Sequence, residues 1–153
     1  MFHRFEFESE FYSNLERIPF HVRMKLDLTG VKLSLNTWRA FRLEERQVLC
    51  HLPIGMDEER NVFISYLTWL SSARASVAIE QVPVVEPSTW GNTKVPETVR
   101  SRSDDHARPI TDNDWRRWAE HERYALYKTA ASKDPSLFDE ALGEMLRRVR
   151  GKG

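Results

Sequence analysis

"LSLNTWRAFRLEERQVL" (33–49) and "ITDNDWRRWAEHERYAL" (110–126) lie over each other without a gap. Asn36 meets Asn113, Trp38 meets Trp115, Arg39 meets Arg116, Glu45 meets Glu122, Arg46 meets Arg123 and Leu49 meets Leu126. Extended backwards on the same register, Pro19, Val22, Arg23 and Asp27 meet Pro96, Val99, Arg100 and Asp104. After that the register slips by two, and Phe63, Leu67 and Leu70 fall opposite Phe138, Leu142 and Met145. Such a match predicts two copies of one unit, 18–72 and 95–149, joined by a connector over 73–94. The 153 residues would then pack as one pseudo-twofold domain.

The repeat also decides a local ambiguity. "IPFHVRMKLDL" (18–28) alternates apolar and polar residues as a half-buried strand does. Its partner, "VPETVRSRSDDHA" (95–107), has no alternation and carries Pro96 where a helix begins. Both stretches therefore read as helices, the first closed by Gly30, with Arg23–Asp27 and Arg100–Asp104 spaced to pair along a face. Ser34 and Thr111 are good N-caps for short helices presenting Trp38 and Phe41, or Trp115 and Trp118, on one side. Glu44 and Glu45 open a third helix ending near Leu52. Asp57 caps a fourth with Val62, Phe63, Tyr66, Leu67 and Leu70 inward. In the second copy Asp134 and Pro135 start a helix whose stripe is Leu137, Phe138, Ala141, Leu142, Met145 and Val149. Phe7, Phe11, Leu15 and Ile18 suggest one more short helix near the N-terminus. The Pro-rich connector reads as extended, with one short strand. The fold class is all-α, each copy having about four short helices.

Composition sets outer bounds. The chain is 41% hydrophobic and 30% charged, too apolar for disorder. Its 23 basic and 23 acidic residues cancel, so no global field draws it toward nucleic acid or membrane. One cysteine, Cys50, excludes an internal disulfide and a multi-cysteine zinc site. "MFHRFEFESEF" (1–11) lacks the apolar core of a signal peptide, and a cytoplasmic protein is expected.

Two stretches of the first half carry a family resemblance: "RFEFESEF" (4–11) and "LERIPFHVRMKLDLTGVKLSLNTWRAFRLEERQVLCHLP" (15–53). In one order they hold an acidic-aromatic start, Ile-Pro, Val-Arg, Lys-Leu-Asp and Trp with Glu-Arg. They resemble the opening of the bacterial nitrate reductase-associated protein family. "VPETVR" (95–100), "ITDNDWRRW" (110–118) and "ERYALYK" (122–128) are similar to its second half. The likeness spans Phe5 to about Leu142. "SRSDDHARP" (101–109) departs from the family pattern and predicts a shortened or frayed helix. The resemblance implies a role in nitrate assimilation, beside nitrate reductase or the molybdopterin machinery, and carries over no catalytic residue.

Chemistry is sparse along the chain. No two of His3, His21, His51, His106 and His121 have the spacing of a helical metal site. Cys50 and His51 point about 100° apart on a helix and read as a buried thiol beside a surface imidazole. No Gly-rich phosphate loop or nucleophile elbow is present. Glu44, Glu45, Glu58 and Glu59 sit in first turns, where the helix dipole accounts for them. Trp38, Trp115, Phe41, Leu49 and Leu126 are the expected core anchors. Arg23, Arg46, Arg100 and Arg123 are candidates for binding an anion or a partner, with helix ends or Asp27 and Asp104 as their structural alternatives. Trp90 in the connector, and Trp118 with Arg116 and Arg117, are candidate interface residues. Arg147, Arg148, Arg150 and Lys152 make a cationic C-terminal turn, which the helix dipole favours whatever the function.

The expected function is a non-catalytic accessory protein that binds nitrate reductase or its cofactor-maturing machinery, with no cofactor of its own. A small-anion or pterin-phosphate binding protein is the alternative. A DNA-binding regulator comes third, because Trp38, Phe41, Trp115 and Trp118 occupy faces that a recognition helix needs polar.

Overall fold

The computed structural model describes residues 2–106 and 108–151, the last three of these by backbone alone. The chain divides into two compact units, Met1–Glu86 and Pro87–Gly153.

The first unit opens with a 3-10 helix, Glu6–Phe11. It continues with α1 (Phe20–Thr29), β1 (Val31–Lys32), α2 (Leu35–Ala40), α3 (Leu43–His51), α4 (Asp57–Ala75) and β2 (Glu80–Gln81). Local chemistry explains most boundaries. Pro19 is extended and precedes the first helical residue of α1, and Gly30 closes that helix in the left-handed region at φ 72°. The Ser34 hydroxyl accepts the Thr37 N–H and starts α2. Glu45, in the first turn of α3, accepts the Arg42 N–H at 2.8 Å. Met56, one residue earlier than expected, caps α4, and its N–H goes to Glu59. The core gathers Val22 and Leu26 of α1, Trp38, Leu49, and Phe63 and Leu67 of α4.

One side chain departs from expectation. Val62 is 55% exposed, because Phe63, Leu67 and Leu70 define the buried stripe of α4 and a neighbour in sequence lies 100° away. The connector carries the short strand expected of it. β2 pairs antiparallel with β1, Val31 opposite Gln81 and Lys32 opposite Glu80. Val82 N–H then donates to Gly30 O and Val85 N–H to Asp27 O, both at 2.9 Å. A Cβ on residue 30 would meet Val82 O at 2.6 Å, so glycine is required there for space as well as for φ.

The second unit holds α5 (Ser88–Gly91), α6 (Glu97–Asp105), α7 (Asp112–Arg117), α8 (Glu120–Ala130) and α9 (Pro135–Gly151). Thr111 caps α7 by accepting the Asp114 N–H, and Asp134 accepts the Ser136 N–H at the start of α9. α6 ends at Asp105, with His106 as its C-cap. The inner stripe of α9 is Phe138, Ala141, Leu142 and Met145, with Leu137 partly buried. The side chains of Val149, Arg150 and Lys152 lie outside the described residues. Mostly helical with one two-residue strand pair, the protein is all-α. No helix among the described residues is long and apolar enough to cross a membrane.

Candidate functional site

The repeated arginines act on backbone. Arg46 donates from Nε to Trp38 O (3.1 Å), from Nη2 to Arg39 O (2.7 Å), and from Nη1 to Asn14 O (2.9 Å) and Leu15 O (3.3 Å). One guanidinium thus closes the C-terminal end of α2 and ties it to the loop before α1. Trp38 Nε1 donates to Leu15 O at 2.7 Å, in the same loop. In the second unit Arg123 donates from Nε to Trp115 O (2.9 Å), from Nη2 to Arg116 O (3.1 Å) and from Nη1 to Gly91 O (3.2 Å). Trp115 Nε1 donates to Asn92 O at 3.0 Å. All the acceptors in the second unit sit at the sequence-matched position of one in the first, and only the Arg46–Leu15 bond has no counterpart among them. The ring pairs match too, Trp38–Phe41 at 6.2 Å and Trp115–Trp118 at 6.1 Å.

Arg23 donates to Ile18 O at 3.0 Å and lies over the Phe20 ring. Arg100 pairs at 2.8 Å with Asp112, not with Asp104, because Asp112 also accepts the Val95 N–H and so lies beside the start of α6. Trp38, Trp115, Leu49 and Leu126 are fully buried and Phe41 nearly so. Trp90 and Trp118 are also buried, which corrects their expected place on an interface. Trp90 packs edge-on to Tyr124 at 4.9 Å, since α5 folds the second half of the connector onto α8. Trp118 Nε1 donates to Met145 O at 3.0 Å. Arg116 and Arg117 are exposed.

Buried carboxylates take guanidinium partners, Glu144 pairing with Arg148 at 2.6 Å. Glu45 meets Arg74 of α4 through three hydrogen bonds of 2.9–3.1 Å, and the bonds from Arg74 hold its carboxyl below the usual range. For Glu122, burial pushes upward, but the Ala119 N–H and Arg148 outweigh it and the carboxyl is also held low.

The densest chemistry lies between the N-terminal segment and α3 in the first unit. Glu8, 2% exposed, accepts the Phe20 N–H at 3.0 Å and so caps α1 from outside that helix. It also accepts the Tyr12 hydroxyl at 2.9 Å, and Tyr12 in turn accepts the Phe5 N–H. Lys25, equally buried, donates to Leu49 O (3.1 Å) and Cys50 O (2.8 Å), the orphan carbonyls at the end of α3. Burial lowers Lys25 to about 8, with the neighbouring Cys50 offsetting part of the effect. Burial likewise pushes the Cys50 thiol up to about 12. Cys50 is therefore a neutral thiol near pH 7 and a poor nucleophile.

Above these groups is a pocket of about 500 Å³. Its walls are the Tyr12, Phe2 and His51 rings, and Leu15 and Cys50 also line it. Arg4, Glu44, Gln47 and Val48 complete it. The sequence marked none of this as a site, although "RFEFESEF" supplies Glu8 and the aromatic residues around it.

A second surface feature is the outer face of α4. Trp69 is 54% exposed, stacked on Tyr66 at 6.3 Å with Arg74 over its ring at 5.4 Å. Val62, one heptad earlier, continues the apolar stripe.

Residues 4–145 fit the family described as conserved nitrate reductase-associated protein, and the chain belongs to that family. No curated protein and no solved structure matches it.

Proposed function

We propose that this member of the nitrate reductase-associated family is a cytoplasmic, non-catalytic accessory protein of nitrate assimilation. It acts by binding nitrate reductase or the machinery that matures its molybdopterin cofactor. The family supports the association. The observation that carries the binding mode is the outer face of α4, where Val62 and Trp69 are exposed beside Tyr66 and Arg74. An aromatic platform flanked by arginine is the composition of interface hot spots. Arg74 is also pre-positioned by Glu45, which reduces the ordering cost of docking. The exposed Arg116 and Arg117 of α7 offer a second contact surface.

Affinity capture of the tagged chain from nitrate-grown cells, with ammonium-grown cells as control, tests this. Nitrate reductase or a molybdopterin enzyme should be enriched, and Trp69→Ala should abolish the enrichment while leaving the fold intact. Capture that survives Trp69→Ala would remove α4 from the interface. Capture of neither class of protein would overturn the accessory reading.

The duplication read from the sequence belongs to the same proposal. Its support is that Arg46 and Arg123, and Trp38 and Trp115, select backbone acceptors at matching positions in the two units. What both copies retain is a structural knot. The partner-binding residues belong to single units, consistent with a pair that keeps a shared scaffold while its surfaces diverge.

A further inference from the structure

The pocket of the first unit has no part in the docking face of α4. Its lining is aromatic: the Phe2 ring stands edge-on to Tyr12 at 5.6 Å and to His51 at 5.7 Å, with the Arg4 guanidinium over the Phe2 and Tyr12 rings at 5.3 and 5.6 Å. Its floor is uncharged, made by Leu15 and the Cys50 thiol. Along one edge runs a row on a single face of α3, Glu44, Gln47, Val48 and His51, at helical spacings of three, four and seven.

We propose that this pocket binds a planar nitrogen heterocycle, a fused two- or three-ring system of the purine or flavin kind, stacked on one ring of this lining with its polar edge along α3. Three considerations select that class. A volume of about 500 Å³ is that of a small-molecule site, where a largely apolar surface is paired with a few polar groups. The rings favour a flat π-system over an aliphatic body, since aromatic contacts add to what area burial alone supplies. The α3 row matches a heterocycle's edge. Glu44 accepts, Gln47 both donates and accepts, and neither makes a side-chain hydrogen bond among the described residues. His51 Nδ1 is engaged by Gln47 O at 2.8 Å, which leaves Nε2 as the ring's other hydrogen-bonding atom. At 1.5 Å per residue these groups are spread over roughly 10 Å, the length of a fused ring system.

The wall is held before any ligand arrives. Glu8 ties Tyr12 to the start of α1, and His21 Nδ1 accepts the His3 N–H at 3.1 Å, fixing the segment that carries Phe2. Phe2 also stacks on His21, ring centroids 6.0 Å apart. Preorganisation of this kind lowers the ordering cost of binding.

Titration of the full chain with adenosine, guanosine and riboflavin tests the proposal. Calorimetry and amide NMR shifts are the readouts, with cyclohexanecarboxylate as the aliphatic control. At least one heterocycle should bind saturably, shift amides of Phe2–Tyr12 and Glu44–His51, and bind tenfold or more weakly to Val48→Arg, which fills the pocket from an exposed position. Trp69→Ala should bind unchanged, which separates this site from the docking face. The proposal is overturned if none of the three shifts these amides up to its solubility limit, if cyclohexanecarboxylate binds as tightly, or if Val48→Arg leaves binding intact.

Discussion

Lys25→Met should reverse the sign of a pH dependence. In the folded protein burial lowers Lys25 from 10.5 to about 8. At ~1.36 kcal/mol per pH unit, keeping this ammonium buried at pH 7 opposes folding by roughly 3 kcal/mol. Because the folded pKa lies below the unfolded one, that cost is fully present below pH 8. It is relieved as pH rises toward 10.5, where the unfolded chain holds a proton that the folded chain has lost. Cys50 acts with the opposite sign: its folded pKa of about 12 exceeds the ordinary 9.0, so stability is lost from pH 9 upward. Between pH 7 and 9 the lysine contributes a gain of roughly 1.3 kcal/mol and the thiol a loss of roughly 0.4 kcal/mol. The wild-type protein should therefore become more stable over that interval through this pair. Methionine keeps the length and burial of the side chain and removes the titration. The two α3 carbonyls it leaves without a donor impose a nearly constant penalty. Urea unfolding followed by circular dichroism at pH 7, 8 and 9, under reducing conditions, gives the stability difference between the two proteins. That difference should grow by about 1 kcal/mol in favour of wild type. A difference constant to within ~0.3 kcal/mol would refute the assignment of a buried, charge-strained Lys25.

Trp38→Ala and Trp115→Ala should each cost about 3–5 kcal/mol, since both indoles are fully buried and each anchors a neighbouring loop through Nε1; unchanged thermal midpoints would show that they are not core. Arg46→Lys and Arg123→Lys should each cost ~1–2 kcal/mol, because an ammonium cannot reach carbonyls on three sides as a planar fork does. Urea midpoints that fall for only one of the two would show that the knots are not equivalent. Gly30→Ala should destabilise by more than ~1 kcal/mol, seen as a lowered thermal midpoint, from the left-handed backbone and the approach of Val82 O. If its midpoint is unchanged, the connector does not lie against α1 as described.

The helices and their punctuation were legible in the sequence because their causes are local. Ser34 and Thr111 cap residues three positions on, Gly30 ends α1 by its own backbone freedom, and Pro135 opens α9. Apolar spacing likewise placed Phe63, Leu67, Leu70, Phe138 and Leu142 in the core, and the match between the halves resolved the misleading alternation of 18–28 in favour of a helix. Periodicity marks the buried stripe and leaves its flanks undetermined, which is why Val62 was expected inside and lies outside. Only the tertiary structure decided where the long-range donors end. Arg46 reaches Asn14 O, Arg123 reaches Gly91 O and Lys25 reaches Cys50 O. Their acceptors are backbone carbonyls, which every residue carries and no letter of the sequence marks. For the same reason Glu8 could not be matched in advance to the Phe20 N–H, nor the connector to β1. The candidate pocket depends on those pairings, because they bring the aromatic N-terminus against α3. A sequence records which groups can bond. Which of many identical backbone partners each one finds is set when the chain closes on itself.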